Sequence, residues 1–175
     1  MMVMIIILMV AALATLMLVV VTKPKHFRLQ RSATIKAAPE AVHAHLQDFH
    51  RWSFWSPWEQ LDPDLKRSFS GAETGLGAVY DWAGTKAGTG RMEIIEADVA
   101  KRLIISLNFI KPMKANNTAE FTLQKTGEDT VVTWAMFGPS PFMSRLMSTF
   151  LNIDDLIGRD FERGLHNLKT ISEKS

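Results

Sequence analysis

The chain has no cysteine, one tyrosine and, among 175 residues, a net charge of only +2. Without cysteine there is no disulfide framework, no thiolate nucleophile and no cysteine-ligated metal. Basic residues cluster nowhere beyond Lys23 to Arg31, so the concentrated basic face of a nucleic-acid binder is missing and nucleic acid is not an expected partner. The serines lack a G-x-S-x-G context, and Gly71 to Gly77 and Gly84 to Gly90 lack the strand–turn–helix setting of a phosphate loop. His43 and His45 stand two apart, which on a helix points them about 200° apart, and no H-E-x-x-H pattern occurs. The carboxylate pairs Asp154-Asp155 and Asp62-Pro63-Asp64 fall on a polar helix side and in a proline turn, neither a setting that raises a carboxyl pKa for acid–base work. No catalytic residue, metal or cofactor is therefore expected.

What charge there is avoids one end. Residues 1–22 hold no Lys, Arg, Asp or Glu and only two non-apolar residues, Thr15 and Thr22. As a helix they would reach about 33 Å, enough for a hydrocarbon core of about 30 Å. Ala12-Leu13-Ala14 offers the A-x-A pattern of a cleaved signal. However, no basic residue precedes the run, and it continues to Val21, which favours an uncleaved anchor. Lys23, Lys25, Arg28 and Arg31 follow the span, so the positive-inside rule puts the rest of the chain on the cytoplasmic side of the membrane. The expected division is an anchor over 1–22 and one domain over 23–175, long enough for a proper core.

Within that domain, 27–37 alternates as a strand, and Ala38-Pro39-Glu40 opens a helix that continues to Phe49. Period-two runs then follow at 66–70, 78–82, 90–98, 102–109, 118–125 and 130–137, with glycines between them. Such short links force antiparallel pairing. Gly138-Pro139-Ser140-Pro141 ends the series, and two helical stretches cover 142–151 and 152–172, the second amphipathic throughout. A sheet with one apolar face needs a cover, and the terminal helix is the only element large enough. The fold class is α+β, a curved antiparallel sheet wrapped around a long C-terminal helix, with one N-terminal transmembrane helix ahead of it.

Particular residues sharpen this. Ala38-Pro39-Glu40-Ala41-Val42, Trp52-Ser53-Phe54-Trp55-Ser56-Pro57-Trp58-Glu59, Gly75 to Trp82, Gly88 to Met92, Thr133-Trp134 and Asp160 to Lys169 together resemble the START-like (SRPBCC) superfamily. Within it they resemble the membrane-anchored bacterial proteins of the polyketide cyclase/dehydrase and lipid-transport family, over about 26–172. The resemblance implies a helix-grip fold. It allows a carrier of a lipid, isoprenoid or polyketide-like molecule, a cyclase or dehydratase, or a ligand-free interaction or stress scaffold. It does not decide among them.

Trp52, Trp55 and Trp58 recur every third residue, either as the aromatic wall of a pocket or as core beneath a loop. Tyr80, Trp82, Phe109, Phe121, Trp134 and Met136 occupy alternating strand positions and would line whatever space the helix leaves, unless the interior is filled. Met143 and Met147, with Phe142, Leu146 and Phe150, form a face that suits a lid, a bilayer contact or, most ordinarily, core packing. These eleven residues, from Trp52 to Met147, are the candidate contacts of a hydrophobic small molecule. Tyr80 and Asn108 are the nearest polar groups for any chemistry there.

Overall fold

The computed structural model describes residues 1–174. Helix α1 (Met2–Thr22) is followed by β1 (His26–Ile35), α2 (Pro39–Leu46), and two 3-10 turns at Phe49–Phe54 and Pro57–Gln60. Then come β2 (Lys66–Gly71), β3 (Ala78–Ala83), β4 (Thr89–Asp98), β5 (Arg102–Lys111), β6 (Ala115–Thr126), β7 (Asp129–Pro139), α3 (Phe142–Phe150) and α4 (Ile153–Ser172). The expected α+β architecture is the one observed. Helix α2 ends at Leu46, short of the expected Phe49, and the two 3-10 turns follow it.

Seven antiparallel strands make one sheet in the order β1-β7-β6-β5-β4-β3-β2. Strands β2 to β7 form a meander, because each link between them is too short for anything but a hairpin return, and β1 pairs with β7 at the edge. Register shifts in β4 at Thr89/Gly90 and Ile94/Glu96 interrupt the pairing with β5, and such irregularities bend a sheet. Cross-strand partners Leu103↔Phe121, Phe121↔Trp134, Ala119↔Met136 and Tyr80↔Met92 stack apolar side chains on a single face.

Helix α4 lies over that face. Phe161 stacks on Trp134 with ring centroids 4.1 Å apart and planes 9° apart. Gly164 makes this approach possible, since a Cβ there would stand 2.8 Å from Trp134 and 3.1 Å from Pro57. Polar clasps fix the helix to β1: Arg31 reaches Asp154 at 3.0 Å and Glu162 at 2.9 Å, and Lys169 Nζ donates to Thr34 O at 2.6 Å. On the opposite face, Glu120 is held between Arg28 (3.0 Å) and Arg102 (2.8 Å). Burial alone would raise its pKa, but the two guanidiniums outweigh it and keep the carboxyl below its ordinary value.

Helix α3 departs from the expectation of ordinary core packing. None of its residues is buried, and Phe142, Met143, Met147 and Phe150 are exposed. It packs instead against the end of α1. Arg145 Nη1 donates to the carbonyls of Val20 (3.3 Å), Val21 (3.2 Å) and Lys23 (3.4 Å), which a helix C-terminus leaves without intrahelical partners. Lys23 Nζ also bonds Ser148 Oγ at 3.1 Å.

Candidate functional site

The sheet and α4 do not meet everywhere. Between them lies a cavity of about 200 Å³ with an almost wholly apolar wall. Trp52 and Trp58 reach it from the two 3-10 turns, Tyr80 and Trp82 from β3, Phe109 from β5, Trp134 and Met136 from β7, and Phe161 from α4. Seven of the eleven sequence candidates are thus brought together here.

The other four lie elsewhere. Trp55 and Phe121 are fully buried behind the wall, edge-on to each other with centroids 6.1 Å apart. Their role in the fold is core packing: Trp55 carries the ring contacts on to Trp52 (4.8 Å) and Trp134 (5.5 Å), while Asn167 Nδ2 donates to its carbonyl at 3.1 Å. Met143 and Met147 sit on α3, exposed and away from the cavity. Asn108 faces away as well, bonding Ser106 Oγ at 3.2 Å.

Local chemistry explains the tryptophan cluster. Asp48 caps the first turn by accepting from His50 N at 2.9 Å, and Pro57 starts the second, where its missing N–H is not needed. Two short turns in place of one helix aim Trp52 and Trp58 at the same space. Trp52 Nε1 donates to Leu46 O at 3.0 Å and Trp82 Nε1 to Ala87 O at 3.2 Å, so both rings are fixed by their polar edges. Gly90 leaves room for the Trp82 ring, which a Cβ at that position would overlap.

Sequence reasoning missed the charged member of the site. Glu59 lines the cavity with its side chain only 7% exposed. Tyr80 Oη donates to its Oε1 at 2.7 Å, and Arg67 Nε donates to its Oε2 at 2.6 Å. Arg67 Nη2 adds a bond to the Glu59 carbonyl at 3.1 Å. Burial, and then the bond to Glu59, push the Tyr80 hydroxyl well above its ordinary pKa of 10.0. The phenol therefore keeps its proton and acts as a hydrogen-bond donor. The only sequence signal was an acid inside a tryptophan-rich run.

A second, wider space of about 820 Å³ lies between the start of β1, α3 and the first turn of α4, bordered by Lys23, Arg145 and Phe150. Phe109, Met136 and Ile157 line both spaces. The inner cavity and the groove beside the end of α1 are therefore neighbours across three side chains.

A sheet gripping a terminal helix over an apolar hollow is a helix-grip domain. Residues 26–173 match the family model described as polyketide cyclase / dehydrase and lipid transport, and the chain belongs to that family. Solved structures share the fold at low identity. A protein from Mesorhizobium loti has TM-score 0.63 and 16% identity, over 85% of this chain and 98% of that one. A protein from Thermobifida fusca has TM-score 0.58 and 22% identity, over 84% and 93%. The di-domain ARO/CYC StfQ of the steffimycin biosynthetic pathway has TM-score 0.61 and 9% identity, over 85% of this chain and 51% of that one. A search of curated proteins gave no match.

Proposed function

We propose that residues 23–175 form a binding domain for a hydrophobic small molecule, tethered to a bacterial inner membrane by residues 1–22 and facing the cytoplasm. The observation that carries this is the unfilled apolar cavity between sheet and α4, walled by four tryptophans. Interiors are normally close-packed, and an apolar hollow of this kind suits an apolar guest. The family description names lipid transport, which agrees with such a guest.

Two features support the tether. Helix α1 is long and apolar enough to cross a bilayer, with 6% of its most apolar window buried. Its last carbonyls are engaged by Arg145, which joins the end of the helix to α3. Lys23, Lys25, Arg28 and Arg31 then favour the cytoplasmic side. In that orientation the groove beside α3 opens next to the bilayer surface, a short path for a guest leaving lipid.

Native mass spectrometry of the full-length protein released from detergent tests the binding. The expected result is a retained small molecule, or saturable uptake of an apolar probe after delipidation; absence of both would refute it. A reporter fused after Ser175 is expected to be active in the cytoplasm only.

A cyclase or dehydratase is the second reading, favoured by the presence of Glu59 and Tyr80 in the wall. Proton transfer asks for a group that gives up or takes a proton near the working pH. Glu59 is held by Arg67 and Tyr80 is pushed towards its neutral form, which suits orientation of a guest better than catalysis.

A further inference from the structure

The wall of the inner cavity is polar at one end, and the polarity there has a definite sign. Glu59 receives two protein donors, Arg67 Nε and Tyr80 Oη, whereas a carboxylate has about four acceptor positions. Among the described residues no other group donates to it. Tyr80 spends its single O–H on Glu59, and its oxygen already faces the Arg67 guanidinium, so the spare acceptor positions are those of Glu59. The Glu59 end therefore offers an acceptor and asks for a donor. Arg67 balances the Glu59 charge one for one, so a second anion in the cavity would lie beside a carboxylate with no cation of its own.

Volume sets the other limit. A cavity of about 150 Å³ holds one benzene, so about 200 Å³ accommodates one or two rings, and a diacyl lipid does not fit within it.

We propose that Glu59 is the recognition point of the cavity and selects a compact, uncharged hydroxyl-bearing guest, a one- or two-ring phenol or alcohol, against both carboxylates and hydroxyl-free hydrocarbons. This rests on the cavity-binding reading above and names the ligand class of that same site. Glu59 positions the guest by accepting its hydroxyl hydrogen, while the tryptophan wall takes the apolar body. Burying a hydroxyl on a carboxylate acceptor is stronger than a neutral hydrogen bond.

The test is isothermal titration of the full-length protein in lipid nanodiscs, with empty nanodiscs subtracted, using 2-naphthol, 2-methylnaphthalene and 2-naphthoate. Wild type is expected to bind 2-naphthol about tenfold or more tighter than 2-methylnaphthalene, and 2-naphthoate the most weakly. Glu59→Gln keeps the shape and removes the charge; it is expected to bring the two neutral probes within about threefold of each other. Equal wild-type affinity for the two neutral probes, or preferred binding of 2-naphthoate, would overturn the assignment of Glu59 while leaving an apolar cavity that binds. Binding of none of the three would refute the cavity reading itself, and the assignment with it. The wild-type ranking decides the matter even if Glu59→Gln fails to fold.

Discussion

Asp62 is a carboxylate with 2% of its surface exposed and, among the described residues, no cation bonded to it. Its oxygens instead accept from backbone N–H groups: Lys86 at 2.7 Å, Asp64 at 3.2 Å and Ala87 at 3.4 Å. The Lys86 N–H, then its neighbours, hold the carboxyl below its ordinary 3.8 against the opposing pull of burial. Stability from this group is thus complete above that pH and lost as pH falls through the depressed value. Asp62→Ala would strand those N–H groups, and a Tm several degrees lower at neutral pH is expected by calorimetry. His43 works in the opposite chemical sense but the same pH direction. It is 1% exposed, its Nε2 has no partner among the described residues, and burial lowers its pKa from 6.5. Half-buried His45 shifts likewise, through burial and then Arg51. Burial favours the neutral ring in the folded chain, so stability is complete above about 6.5 and declines as pH drops below it. In a pH series of thermal melts, His43→Leu is expected to flatten that decline between about pH 6.5 and 5.

At the scale of elements, α4 and α3 meet the rest of the molecule by different means, and each has its own test. Helix α4 depends on the close approach at Gly164. Gly164→Val would drive a branched side chain into Trp134 and Pro57, and overpacking of this sort costs about 1–3 kcal/mol, measurable by denaturant unfolding. Helix α3 depends on Arg145. Arg145→Ala is expected to loosen the junction after α1 and to speed tryptic cleavage after Lys25 severalfold, with little change in the unfolding of the domain. Strand positions were legible in the sequence because period-two runs and glycines specify them. The runs at 78–82 and 102–109 reappear as Ala78–Ala83 and Arg102–Lys111, slightly longer. The fate of α3 was not legible. An apolar stripe such as Phe142–Met143–Leu146–Met147–Phe150 reads the same whether it meets a core or the end of another helix.

For the whole molecule, the layer order was readable, and the contents of the space between the layers were readable only in part. Alternation along β3 and β7 assigns Tyr80, Trp82, Trp134 and Met136 to one face, but it does not separate a residue at the cavity wall from one behind it, as Phe121 shows. Glu59 was beyond reach for a different reason. Its partners lie 8 and 21 residues along the chain, and only the second 3-10 turn brings the three together. If the cavity holds the guest, filling it with side chain should abolish uptake at no cost in folding. Ala119 lines the wall from β6, and Ala119→Leu is expected to leave Tm unchanged or higher while eliminating probe uptake in the same titration.

All five tryptophans of the chain belong to this one neighbourhood. Trp52, Trp58, Trp82 and Trp134 line the cavity, and Trp55 is in ring contact with two of them. The protein therefore carries its own optical reporter, because ultraviolet emission comes from indoles at or next to the place where a guest would sit. Occupancy is expected to register as a shift or quench of intrinsic fluorescence without any label, whereas events at the anchor or on the outer face of the sheet stay dark.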